Sequence, residues 1–147
     1  MLSSDVVSLQ RIAMFRDLDT AKLKLIALAS QRATYRSGDT LLREGARADA
    51  VFIILDGRAR VLRTDGEDAV EIAAVEAGAV VGEMGVVLDR PYSGTIVAET
   101  PVTALRIDKR TFLDLLNKVP QLSMALIREL ANRLLATSDL YVKALAK

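Results

Sequence analysis

Residues 82–100, GEMGVVLDRPYSGTIVAET, gather more chemistry than any other stretch of the chain. An acid, Glu83, leads a short apolar run, Met84 to Leu88. Beyond it come the hydroxyls of Ser93 and Thr95 with a phenol, Tyr92, and a cation, Arg90, and the stretch has glycines at 82, 85 and 94. Glycine lets a backbone come close to a bound group, and main-chain amides at a helix start and the turn after it can converge on one anion. Such a stretch is suited to holding a phosphate. The rest of the chain narrows the choice by what it lacks. There is no Cys and no His, which removes thiolate nucleophiles, imidazole bases, disulfides and nearly all zinc, copper and non-haem iron sites. A carboxylate-pair hydrolase would need a partner for Glu83, and no other acid is singled out. No catalytic residue, metal or cofactor is expected, and the chain reads as something other than an enzyme.

The 20 basic and 19 acidic residues nearly cancel, so no global field draws the chain to nucleic acid or anionic lipid and any anion site must be local. With 51% hydrophobic and 27% charged residues the composition is globular, and no apolar run is long enough to span a bilayer. The first fifteen residues carry no basic patch ahead of an apolar stretch, so no secretory signal is read and a cytoplasmic location is expected.

One domain over 1–147 is expected to position the stretch, with helices over about 5–30, strands over about 31–107 and helices over about 108–145. From Leu9 to Ala29, Leu9, Ile12 and Phe15 and then Leu23 and Ile26 sit at helical spacing around an Asp-Leu-Asp-Thr break, which predicts two short helices with Asp19 or Thr20 capping the second. From residue 38 the texture changes to short apolar runs, TLLRE, AVFIIL, ARVLR, AVEIAAVE, GTIVAE and VTALRI. Turn pairs such as Asp56-Gly57 and Asp65-Gly66 separate them, the pattern of an antiparallel barrel or jelly roll. After Ile107 helical texture returns, with Asp108 placed to cap KRTFLDLLNK and Pro120 opening a longer helix. In that last helix Met124, Ile127, Ala131, Leu134, Ser138, Tyr141 and Leu145 follow alternating steps of three and four. This is a heptad seam that either meets a twin helix or lies on the chain's own roll.

Taken together, GDTLLREGARADAVFIILDGRARVL, VVGEMGVVLDRPYSGTIVAETPVTALRI and the short and long helices after them resemble the cyclic nucleotide-binding domain. That domain is shared by the catabolite activator protein, the regulatory subunit of cAMP-dependent protein kinase and cyclic-nucleotide-gated channels. The resemblance covers about residues 9 to 140, with glycines 38, 45, 57, 66, 78 and 82 where the family turns its strands. It implies a mainly β fold: an antiparallel β-roll with N-terminal helices and a C-terminal short helix plus long helix. In the family's phosphate-binding cassette, Gly-Glu and a one-turn helix lead to Pro-Arg-Ser/Ala-Ala-Thr. Here Gly82-Glu83, Met84, Gly85, Pro91, Ser93 and Thr95 stand in register and Gly94 replaces the alanine. The resemblance gives Glu83 the ribose 2′-hydroxyl of a cAMP or cGMP ligand, and assigns base contacts to the last helix, where Arg128, Asn132 and Leu135 are candidates.

The family's phosphate-pairing arginine is Tyr92 in this chain. A guanidinium donates two charge-assisted hydrogen bonds to phosphate oxygens where a phenol donates one neutral bond. Loss of one partner of a desolvated charge pair costs roughly 2–5 kcal/mol, about one to four powers of ten in affinity. Three readings follow. Arg90 swings across Pro91 to the same anion, or a single backbone slip makes Tyr92 a stacking or hydroxyl-donating contact for another ligand, or Arg90 is a solvated loop charge while the Tyr92 ring packs on the roll. Glu83 likewise either binds ligand or only favours the helix dipole. Arg58, Arg60 and Arg63 read as one solvent-facing cluster on a strand.

Two functions remain. One is a sensor in which a cyclic nucleotide or related phosphate moves the last helix, for a downstream partner or a homodimer to read. The other is an interaction module that keeps the fold without the nucleotide. Proteins of the family that regulate transcription continue into a helix-turn-helix; here no recognition helix is visible and the net charge is +1, so no DNA binding by this chain is expected.

Overall fold

The computed structural model describes residues 2–146. In chain order its elements are α1 (Leu2–Gln10), a 3-10 turn (Ala13–Phe15), α2 (Thr20–Ala29), β1 (Gln31–Tyr35), β2 (Thr40–Leu42), β3 (Ala50–Asp56), β4 (Arg58–Asp65), β5 (Asp68–Glu76), β6 (Val80–Val81), α3 (Glu83–Leu88), β7 (Thr95–Ala98), β8 (Val102–Asp108), α4 (Lys109–Lys118) and α5 (Pro120–Leu145). Two four-stranded antiparallel sheets make the roll, in the orders β1-β8-β3-β6 and β2-β7-β4-β5. The expected mainly β roll with helices before and after it is what the chain forms.

The core explains which strands lie where. In β3, AVFIILD, the first five residues are all buried, as a central strand covered on both faces requires. β5, which mixes Asp68, Glu71 and Glu76 with its apolar residues, lies at the end of its sheet order and is exposed along almost its whole length. Position in the sheet and the added acids together separate the two. The turn from β3 to β4 depends on Gly57, which has φ +97° and where a Cβ would stand 2.2 Å from the Pro101 carbonyl oxygen. Only a residue without a side chain fits there.

The helices differ from expectation in two places, the run from Leu9 to Phe15 and the cap of α4. The run from Leu9 to Phe15 is the end of α1 followed by a 3-10 turn rather than one helix, although Leu9, Ile12 and Phe15 are all buried as its spacing requires. Asp19 caps α2, accepting from the Lys22 amide at 3.0 Å. Asp108 occupies the cap position of α4 without making a capping bond. Its carboxylate instead accepts from Arg106 at 2.7 Å, a charged donor outcompeting a backbone amide. Pro120 opens α5, where its missing N–H leaves no hydrogen bond unmade.

α5 packs on the body only through its first turns, with Leu122, Ala125 and Leu126 buried. Among the described residues from 127 onward, only Glu129, Leu130 and Arg133 are even partly covered. All seven residues of the heptad seam, from Met124 to Leu145, are exposed. Of the two alternatives for the seam, packing on the chain's own roll is therefore corrected: the roll takes a different stripe of the helix.

Candidate ligand cavity and its lid

Between the second sheet, α3 and α5 lies a cavity of about 580 Å³, within the roughly 300–1,000 Å³ common for small-ligand sites. Val61, Ile72, Val75 and Ile96 give it apolar walls, and residues 81–85, 93 and 94 form one rim. Gly82 begins α3 in a left-handed conformation, φ +85°, and a Cβ there would approach the Ala50 carbonyl oxygen to 3.0 Å and the Tyr92 ring to 3.2 Å. At Gly85 a Cβ would meet that of Ala48 at 2.8 Å. Both glycines let α3 lie flat against β3 and its preceding loop.

Glu83 is 2% exposed and ion-paired with Arg133 of α5. The same guanidinium donates to the Val80 carbonyl at 2.9 Å and to Glu129 at 3.2 Å. A buried carboxylate needs such a partner, because an unpaired charge away from water is far costlier than a paired one. The pairing also ties the long helix to the wall of the cavity.

Tyr92 is buried, and its hydroxyl donates to the Ala50 carbonyl at 2.6 Å and accepts from the Ala50 amide at 3.1 Å. Burial pushes the phenol above its ordinary pKa, against the opposing pull of the Ala50 hydrogen bond. Main-chain bonds pin the same residue to the loop before β3, Tyr92 N to Ala46 O at 3.0 Å and Gly45 N to Tyr92 O at 2.9 Å. Its ring therefore packs into the roll, and its single proton is already committed to protein.

Ser93, Gly94, Met84 and Gly85 line the cavity with Gly82 and Glu83. Thr95 does not: its hydroxyl accepts from the Glu44 amide at 2.9 Å, while the Glu44 carboxylate accepts from Thr64 N at 2.9 Å, a closed internal network. Arg90 is exposed and outside the lining, so the swing of Arg90 toward the cavity is absent. Arg128, Asn132 and Leu135 are also exposed and outside it; Arg128 pairs with Asp17 at 3.3 Å across the surface.

Sequence reasoning missed two arginines. Extending the buried stripe Leu122 and Leu126 by steps of three and four lands on Glu129 and Arg133, a signal that finds the lid contacts. Arg63 is exposed, as a solvent-facing cluster requires, but it does not share a face with Arg58 and Arg60. Arg58 and Arg60 do pair with acids, Arg58 with Glu99 at 2.6 Å and Arg60 with Glu71 at 3.7 Å. Arg63 stands one pleat out of step with them and lines the cavity beside Val61.

An antiparallel roll with a short helix in its rim and a long helix across its mouth defines a small-ligand-binding roll. The chain belongs to the cyclic nucleotide-binding domain family, whose model matches residues 32–119. It is 30% identical over 125 residues to Glutaminase 2 of Bradyrhizobium diazoefficiens, covering 85% of this chain and 19% of that protein. Among solved structures it is similar to the Thermus thermophilus catabolite activator protein, with a TM-score of 0.80 and 25% identity, covering 90% of this chain and 62% of that one. The regulatory domain of Toxoplasma gondii PKA with cAMP has a TM-score of 0.78 at 17% identity, covering 89% of this chain and 50% of that one. This chain thus spans about a fifth of the glutaminase and half to two thirds of the two structures. Its fold is that of regulatory sensor domains. Among the described residues no helix is long and apolar enough to cross a membrane.

Proposed function

We propose that residues 1–147 act as one cytoplasmic sensor domain that binds a cAMP- or cGMP-like anion in the cavity and reports it through α5. The observation that carries this reading is the ion pair between Glu83 and Arg133, because it joins the wall of the cavity to the long helix. A ligand hydroxyl that hydrogen-bonds Glu83 competes with the guanidinium for the same oxygens. Displacing Arg133 leaves its contacts with Val80 and Glu129 to be remade, so the bound and free domains favour different placements of the helix. The size of that shift is bounded by the ligand's difference in affinity for the two placements.

The conventional arginine is missing, so affinity for a cyclic nucleotide should be low for the family. Calorimetric titration with cAMP and cGMP tests the reading. Heat that saturates at one ligand per chain, and that Glu83→Gln reduces by about tenfold or more, supports it. Absence of heat with both nucleotides at millimolar concentration contradicts it.

A second reading, an interaction module paired through α5, is favoured by the exposure of all seven seam residues. A second copy presenting the same seam would bury them as a two-stranded coiled coil. The two readings are compatible, since a paired helix can also carry a ligand signal to a downstream partner. Sedimentation decides the pairing: a dimer at micromolar concentration that Leu134→Lys dissociates is expected, and a monomer throughout contradicts it.

A further inference from the structure

We infer that Arg63 is the cation that receives the ligand's anionic group. The inference rests on reading the cavity as a ligand site, but it comes from a different part of the molecule than the Glu83–Arg133 pair. Two arginines line the cavity, Arg63 and Arg133. Arg133 is engaged by Glu83, Val80 and Glu129. Arg63 makes no ion pair or hydrogen bond through its side chain among the described residues, in contrast to Arg58 and Arg60 on the same strand. Arg63 is exposed at the rim of the cavity, so its guanidinium is free to take an anion there.

The backbone across from it points the same way. β4 and β7 pair Val61 with Ile96 and Leu62 with Thr95, and continuing that register by one residue sets Arg63 opposite Gly94. A Cβ at Gly94 would stand 3.0 Å from the Leu62 carbonyl oxygen and 3.5 Å from Cγ of Arg63, so the stem of Arg63 lies beside the bare glycine. Gly94 is buried, and with no side chain there the stem of Arg63 and the 93–94 backbone share one end of the cavity. Arg63 therefore presents a planar donor fork at that end. Such a fork suits an oxyanion with two oxygens, such as a phosphodiester. The apolar walls at Val61, Ile72, Val75 and Ile96 then accept the flat or apolar body attached to it.

Nuclear magnetic resonance of the full chain tests this, with inorganic phosphate, cAMP and adenosine as probes. Phosphate should move the Ser93 and Gly94 amide resonances together with the Arg63 Nε–H. Arg63→Gln should weaken phosphate and cAMP by about tenfold or more and leave adenosine unchanged, while Arg90→Gln changes none of the three. An amide spectrum otherwise like that of the parent chain verifies that Arg63→Gln is folded. Phosphate that leaves all three resonances in place overturns the assignment, as does cAMP bound equally well by Arg63→Gln. In that last case the sensor reading survives and Arg63 is dismissed. Phosphate held at Arg63 with no binding of cAMP or cGMP does the reverse.

Discussion

Tyr92 and Arg133 both line one cavity, from opposite kinds of element. Tyr92 sits in a loop that main-chain bonds pin on both sides, and its hydroxyl satisfies the amide and carbonyl of one buried residue, Ala50. Arg133 comes from a helix that is almost wholly exposed around it, and its partner is a buried charge. The tyrosine contact closes on itself, so a ligand has nothing to gain by breaking it. The arginine contact has a carboxylate at its far end that a ligand hydroxyl can also satisfy. Where the family's motif has an arginine, this chain has put a structural group, and on the proposed reading the ligand is answered from α5 instead.

The largest effect should come from breaking the lid contact. Arg133→Ala leaves Glu83 buried without a partner. That costs several kcal/mol in a sealed interior and roughly 2–3 kcal/mol here, because the guanidinium is partly open to water. Denaturant unfolding measures it, and Glu83→Gln in the same chain should restore part of the loss by removing the stranded charge. A loss as small as that of an ordinary surface pair would erase the contrast with Tyr92.

Tyr92→Phe keeps the ring and strips the hydroxyl, so the buried Ala50 amide and carbonyl each lose a partner. About 1–2 kcal/mol of stability should be lost, with cAMP affinity unchanged. A change in affinity without a change in stability would make the phenol a ligand contact after all. A smaller effect of the same variant lies in alkaline solution. Burial raises the Tyr92 pKa in the folded chain, so its contribution is whole below the unfolded phenol's value, about 10, and is lost as pH rises through the folded value. Stability measured from neutral to strongly alkaline pH should therefore fall less steeply for Tyr92→Phe than for the parent chain; an equal slope would mean that the phenol titrates alike in both states.

Turn glycines and short apolar runs were enough to read the roll, because strand length and turn geometry are local properties. The exposure of β5 was less legible, since Val70, Ile72 and Val75 in AVEIAAVE look like strand-core residues and its place at the end of the sheet order is set by pairings far along the chain. Half of the site was also readable: Glu83, Ser93 and Gly94 stand where a motif with fixed spacing puts them. The arginines were harder for different reasons. Strand parity alone separates Arg63 from Arg58 and Arg60, and treating three nearby charges as one cluster discarded that signal. Arg133 sits one residue from Asn132, and its face becomes clear only once Leu122 and Leu126 are known to be the buried stripe. The burial of the Tyr92 ring depends on a contact with Ala50, 42 residues away, which no local pattern contains.

The claim that a ligand is read by prising Arg133 from Glu83 is tested most directly by hydrogen exchange along α5, with and without saturating cAMP. Exchange at amides around Glu129–Arg133 should change on binding, and Arg133→Ala should show the altered pattern before any ligand is added. Saturated binding with the exchange of α5 unchanged would contradict it.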